Sequence, residues 1–184
     1  GFGGRSLDDT MPKYLNSPET ALFSKGDNLY ALSKIKKDSS LSIIVVEGYM
    51  DVIMLHQHGF CQTVASLGTA FTKKQAILLK KYSDNVILAY DADEAGQSAM
   101  TRGMEILAQE GLRVKMLSLP DGKDPDDVIK NKGSGIFQEL LDNSMDIVNY
   151  RLFLSKKGLD FQKPDDKLKY IRQGVKILAK VESE

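Results

Sequence analysis

Short apolar runs rich in β-branched residues alternate, through the middle of the chain, with segments whose apolar positions recur at helical spacing. Leu41 to Val46, Gln62 to Ala65, Val86 to Tyr90 and Arg113 to Leu119 read as strands, and the patterns near Met50 to His58, Lys73 to Tyr82 and Ala95 to Glu110 read as helices between them. This alternation is the sequence form of βαβ units, so it predicts an α/β fold: a parallel four-stranded sheet flanked by helices. The helix ends carry signals of their own. Thr72 and Gln75 stand at capping-box spacing, Asp93 is placed to cap the third helix, and Gly111 is a natural stop. Past Pro120 the pattern turns helical, over Pro125 to Lys132, Gly135 to Leu141, Met145 to Lys157 and Asp165 to Lys180. Leu168, Ile171, Val175 and Leu178 give the last of these an apolar stripe, which predicts a packed amphipathic helix. Residues 1–40 have weak periodicity and breakers at Pro12 and Pro18, and the polar stretch Lys36 to Ser40 marks a boundary. Three parts are therefore expected: a short irregular N-terminal segment over 1–40 that completes a neighbouring subdomain, the α/β domain over 41–132, and a C-terminal helical extension over 133–184.

Composition narrows the function classes. Of 184 residues 42% are hydrophobic and 27% charged, no apolar run is long enough to span a bilayer, and no signal-peptide pattern is present, so no membrane association and a cytoplasmic location are expected. The lone Cys61 can make neither an internal disulfide nor a zinc ligand set and reads as a small buried hydrophobe. A formal net charge of zero conceals an acidic middle, with nine Lys/Arg against twelve Asp/Glu over residues 41–130. Such a chain has no blanket attraction for nucleic acid. Binding of that kind must come from local basic surface or from metal ions that reverse the sign of the acidic centre. The chain opens on Gly1-Phe2-Gly3-Gly4-Arg5 without an initiator Met and reads as a piece of a longer protein.

The acids fall where an open parallel sheet places ligands, beyond the carboxyl ends of its strands. The first strand runs into Glu47-Gly48-Tyr49-Met50-Asp51, the third into Asp91-Ala92-Asp93, and the fourth into Asp121-Gly122-Lys123-Asp124-Pro125-Asp126-Asp127. If the strand order is 2-1-3-4, Glu47 faces Asp91 and Asp93. So many carboxylates at one edge raise one another's pKa unless a cation neutralises them, and hard oxygen ligands without His or Cys point to Mg²⁺ or Mn²⁺. Ions of that kind equip polymerase and nuclease sites. Each acid also has a structural explanation: Asp93 and Asp124 as helix N-caps, Asp51 and Asp126 as first-turn residues, Asp121-Gly122 as turn chemistry. Glu47 and Asp91 do not share it, because each directly ends a buried apolar strand. His56 and His58 read as exposed helix-end residues rather than ligands, and the glycines at 1–4 are not followed by the Gly-Lys-Ser/Thr of a Walker site.

Glu47-Gly48-Tyr49-Met50-Asp51, Ser66-Leu67-Gly68-Thr69 and Asp91-Ala92-Asp93-Glu94-Ala95-Gly96, in that order, resemble the Toprim domain shared by bacterial primases, topoisomerases, certain nucleases and recombination proteins. The flanks Gly1 to Arg5, Pro12 to Thr20 and Leu119 to Asp126 resemble the bacterial DnaG-type primases more narrowly, and the likeness runs from Gly1 to about Phe153. It implies part of the catalytic core of a DNA-dependent RNA polymerase that makes short RNA primers on single-stranded DNA by two-metal-type nucleotidyl transfer. By the same likeness Glu47, Asp91 and Asp93 would be catalytic metal-binding acids, Asp51, Asp124 and Asp126 would join the same Mg²⁺ or Mn²⁺ centre, and Arg5, Lys13 and Lys25 would handle template or nucleotide. Implied partners are the single-stranded DNA template, ribonucleoside triphosphates, the RNA primer and the replicative helicase. The zinc-binding module, the first part of the polymerase core and the helicase-binding domain are missing by comparison. Zinc is therefore expected only in the missing module, and little or no priming from these 184 residues alone. The rival readings are a non-catalytic Toprim module that binds DNA or a protein, and a Toprim nuclease. A receiver domain would carry its paired acids after the first strand, and a topoisomerase would need a nucleophilic tyrosine, for which Tyr49 is poorly placed.

Overall fold

A computed structural model describes residues 1–7, 11, 14–67, 71–90, 94–120 and 123–179, with the side chains of 94–99 outside that description. Its strands are β1 (Gly3–Arg5), β2 (Tyr14–Asn16), β3 (Ser42–Val46), β4 (Thr63–Ala65), β5 (Asn85–Leu88) and β6 (Arg113–Met116). Its α-helices are α1 (Tyr49–Gln57), α2 (Lys73–Lys80), α3 (Glu94–Gln109), α4 (Pro125–Asp142), α5 (Ile147–Lys156) and α6 (Pro164–Leu178). Among the described residues β1 and β2 form an antiparallel pair, and the other strands form one parallel sheet in the order β4-β3-β5-β6, the order that sets the ends of β3 and β5 side by side.

The central strand explains the layering. After Ser42, β3 is apolar at every position because both faces of the sheet are covered. Alternate residues go to opposite sides. Ile43 and Val45 meet Ala76 and Leu79 of α2 and Met104 and Leu107 of α3, whereas Ile44 and Val46 meet Val52 and Leu55 of α1 and Val128 and Phe137 of α4. The sheet's two edges are closed by single antiparallel bridges rather than by further strands. Tyr30 exchanges backbone hydrogen bonds with Ala65 of β4, and Met145 does so with Met116 of β6. An edge with unpaired N–H and C=O groups invites pairing with other chains, and these bridges blunt it.

The N-terminal segment is fastened to this frame by the cap of α2. The Thr72 hydroxyl accepts from the Gln75 N–H at 3.1 Å, and Gln75 Oε1 accepts from the Thr72 N–H at 3.0 Å. The same two side chains reach outward, Gln75 Nε2 donating to the carbonyls of Lys25 (3.1 Å) and Asn28 (2.9 Å) and Thr72 Oγ1 donating to that of Gly26 (2.6 Å). Leu29 and Ile35 then enter the core beside α2 and α3.

The helical patterns expected over 125–132 and 135–141 are two helices, the two halves of α4, separated by a break at Gly133, whose φ of 79° and ψ of 172° leave the helical region. Two expectations need correcting. Cys61 is exposed, because it sits in the connection ahead of β4 rather than on the buried strand. The stripe of α6 is not packed among the described residues: Leu168, Ile171, Val175 and Leu178 are 49–61% exposed. The helix instead lies on α5 through the face that carries Gly174, where an added Cβ would meet Leu152 at 3.5 Å. No described helix is long and apolar enough to cross a membrane.

Candidate functional site

The carboxyl end of β3 opens into a cavity of 280 Å³. Glu47 leaves the strand at Val46, Gly48 caps α1, and Asp51 lies in the first turn of that helix, favoured there by the positive end of the helix dipole. From the opposite side comes the amino end of α4. Asp124 is its N-cap, its carboxylate accepting from the Asp127 N–H at 2.6 Å, and Pro125 follows with a ring suited to the first helical turn. Glu47, Asp51, Asp124 and Asp126 thus line one cavity although 79 positions separate the first from the last.

Asp51 and Asp126 are both 7% exposed. Asp51 Oδ2 accepts from the Gly48 N–H at 3.2 Å and Oδ1 from the Asp126 N–H at 3.3 Å. Asp126 Oδ2 accepts from Lys130 Nζ at 2.6 Å, a bond that raises the lysine above its ordinary value. Asp126 Oδ1 is buried and finds no hydrogen-bond partner among the described residues. A carboxylate oxygen withdrawn from water with nothing to offset it is costly, and a cation is what would offset it. Hard oxygen donors around such an atom suit Mg²⁺ or Mn²⁺. Among the described residues no three His, Cys, Asp or Glu are gathered closely enough to hold a metal by themselves. Asp91 and Asp93 lie outside the described residues. The chain reaches them from Tyr90, two residues beyond the Val45–Leu88 pair as Glu47 is on β3. Tyr90 donates to Ser66 Oγ at 3.3 Å, and burial pushes its hydroxyl up to about 12, with the charge of Glu47 adding to the effect.

An aromatic and basic wall faces the acids. The Arg5 guanidinium stands 5.5 Å over the Tyr14 ring, which meets Tyr49 edge-on at 5.7 Å, and Tyr30 lies 6.0 Å beyond Tyr49. Burial raises the Tyr14 hydroxyl above its ordinary value, against the pull of Arg5 and with the charges of Asp51 and Asp124 adding. The Tyr49 hydroxyl is buried without a partner among the described residues. Leu67, on the same cavity, holds φ at +63°, a left-handed conformation that costs a non-glycine residue about 1–2 kcal/mol.

Of the predicted basic residues, Arg5 is at the cavity, Lys13 lies outside the described residues, and Lys25 lines an adjoining 390 Å³ pocket that shares Asn16, Tyr49 and Leu67 with the first. Sequence reasoning missed Tyr14, Asn16 and Lys130. Lys130 had a usable signal, four residues after Asp126 on one helix face. Tyr14 and Asn16 had only the family-like flank Pro12 to Thr20 to point to them, since a three-residue strand has too short a period to read.

The Toprim-like family matches residues 44–129, and the family described as the N-terminal domain of the DNA primase catalytic core matches residues 1–36. The DNA primase of Clostridium acetobutylicum is 46% identical over 183 residues, which cover 99% of this chain and 31% of that protein. The chain thus spans about a third of the length of the curated relatives it matches. Among solved structures, the DnaG primase catalytic domain bound to ssDNA superposes with a TM-score of 0.75 at 36% identity, over 100% of this chain and 61% of that one. The RNA polymerase domain of Mycobacterium tuberculosis primase DnaG, in complex with a double-stranded DNA oligomer with a 6-nucleotide overhang, gives 0.82 at 28% identity over the same shares.

Proposed function

The chain belongs to the bacterial DnaG-type DNA primases, and from that premise we propose that it forms the metal-binding part of a catalytic core that joins ribonucleotides into RNA primers on a single-stranded DNA template. In this reading residues 1–40 are the end of a preceding core subdomain, 41–132 the Toprim domain and 133–184 a helical extension. The observation that carries it is the acid cavity at the end of β3, with the unpartnered Asp126 Oδ1 buried beside Glu47 and Asp124. Glu47, Asp91, Asp93, Asp124 and Asp126 would hold Mg²⁺ or Mn²⁺. Such ions, when bound, make a hydroxyl a better nucleophile and neutralise phosphate charge.

The chain's own residues supply the rest. Lys130 balances one oxygen of Asp126 and leaves the other for a cation. Arg5, held over Tyr14, sets a fixed positive charge opposite the acids, where a template or triphosphate phosphate would lie. Lys25, on the adjoining pocket, would extend that basic surface, and the likeness to primases assigns Lys13 the same task. The solved relative bound to ssDNA supports the choice of template. The test is template-dependent RNA synthesis by the full-length protein with Glu47→Gln or Asp91→Asn. Synthesis should fall by several orders of magnitude, each tenfold equivalent to about 1.4 kcal/mol of barrier, while the metal-free protein melts no lower than wild type because one repulsive charge has gone. Near-normal synthesis by Glu47→Gln would falsify the assignment.

A further inference from the structure

We propose that Asp51 is a positioning residue, which clamps the amino ends of α1 and α4 together and so sets the shape of the acid cavity, rather than a ligand of the metal. The inference rests on the primase reading and assigns one of its acids a different task. Asp51 accepts a backbone N–H on each oxygen: Oδ2 takes that of Gly48, the cap of its own helix, and Oδ1 that of Asp126, in the first turn of a helix 75 residues further on. Both donors sit at helix amino ends, where unsatisfied N–H groups and the helix dipole favour a carboxylate. A cation on the same oxygens would compete with those two positive ends. Asp126 offers the contrasting arrangement, one oxygen on Lys130 and the other buried and unpartnered. The residue type at position 48 suits the same contact. A Cβ there would lie 2.9 Å from Asp51 Oδ2, closer than real Cβ contacts come. The backbone at Gly48, with φ of −106°, does not otherwise demand glycine. The glycine therefore makes room for the carboxylate. Since Gly48 adjoins Glu47 and Asp126 lies two residues after the Asp124 cap, the clamp fixes how far apart those groups stand.

Two substitutions separate the roles, Asp51→Asn, which keeps the shape and loses one acceptor, and Gly48→Ala, which keeps the carboxylate and displaces it. In the full-length protein each should lower turnover at saturating Mn²⁺ by tenfold or more, while the Mn²⁺ concentration for half-maximal primer synthesis stays within threefold of wild type. A tenfold rise in that concentration, with turnover restored at high Mn²⁺, would make Asp51 a ligand and overturn the proposal. Unchanged turnover and unchanged Mn²⁺ dependence, with only a lower melting temperature, would overturn it too. A readout independent of activity is amide hydrogen exchange by NMR on the metal-free chain: the Asp126 amide should exchange at least tenfold faster in Asp51→Asn, and wild-type protection there would sink the clamp. If instead Glu47→Gln synthesises primers normally while the Asp126 amide loses protection as described, the fault lies with the primase reading and not with the clamp.

Discussion

Gln75 holds more of the molecule together than its place in an eight-residue helix suggests, and its replacement gives a stability loss that can be worked out in advance. The side chain is fully buried. It makes three hydrogen bonds of 2.9 to 3.1 Å, accepting from Thr72 N–H and donating to the carbonyls of Lys25 and Asn28. Gln75→Leu is close in size but loses all three bonds, although the Lys25 carbonyl keeps the Asn28 N–H. At about 0.5–1.5 kcal/mol for each bond lost, less about 0.8 kcal/mol gained from one more buried apolar group, the net cost is about 0.7–3.7 kcal/mol. In a chain of this size that lowers the melting temperature by roughly 1–15 °C. Urea unfolding followed by far-UV circular dichroism measures it, with the slope against denaturant unchanged if the folded state stays compact. Gln75→Glu sharpens the test. It points a carboxylate at two carbonyls in a buried site, which raises the folded-state pKa above the unfolded value of about 4.3. A raised folded pKa means stability that is present below the unfolded value and lost as pH rises, so this variant should be less impaired at pH 4 than at pH 7. A Gln75→Leu loss below about 0.5 kcal/mol, the range of an ordinary surface change, would refute the account of how residues 25–28 are held.

Three further outcomes follow from the same geometry. Asp126→Asn should alter metal-free stability by less than about 1 kcal/mol, since the bond it weakens ends on a half-exposed lysine and its other oxygen has no partner among the described residues to lose; yet it should abolish the rise of about 2.7 kcal/mol that Mn²⁺ at a hundredfold its Kd gives wild type, read by melting with and without the ion. Asp146 caps α5, and the hydrogen bond from the Asn149 N–H holds its carboxyl below the ordinary value. A depressed folded pKa confers stability that is present above the unfolded value near 3.9 and lost as pH falls through the folded one, so the cost of Asp146→Ala, about 0.5–2 kcal/mol at pH 7, should vanish by about pH 2 in a pH series of melts. On α6, Ile171→Lys and Val175→Lys should each cost less than about 0.5 kcal/mol in urea titrations, against about 2–5 kcal/mol for Leu107→Ala in the core.

What could be read from the chain, and what could not, divides by the range of the interaction. Strand and helix placement rests on periods of two and 3.6 residues, and the capping pair Thr72 and Gln75 on a spacing of three, so both are written locally. The same holds for Glu47 at the end of β3 and for the Asp124 cap. Closure of the sheet edges by Tyr30 and Met145 depends on pairings across 35 and 29 residues with no periodic signature. The stripe on α6 identifies an apolar face but carries no information on whether anything covers it, and Cys61 followed a type preference that its position in a connection overrode. At the site, acids gathered by strand ends were legible, whereas the aromatic wall was not, because Tyr14 and Tyr49 meet through tertiary packing alone. Asp91, Asp93 and Lys13 lie outside the described residues, and Lys25 stands at the neighbouring pocket rather than among the acids.

The two edge bridges also bear on how the chain matures as it is made. β3 is the first strand of the sheet to be synthesised, yet it is central and waits for both neighbours, and the far edge closes only when Met145 reaches Met116. Roughly 100 residues separate the start of β3 from that closure, a delay of about 5–20 s at typical synthesis rates of about 5–20 residues per second. Through the later part of that interval Ile43 to Val46 lack the share of their cover that comes from α3 and α4, so a pause in synthesis between residues 90 and 145 should prolong the partial exposure, whereas one placed after 145 should not.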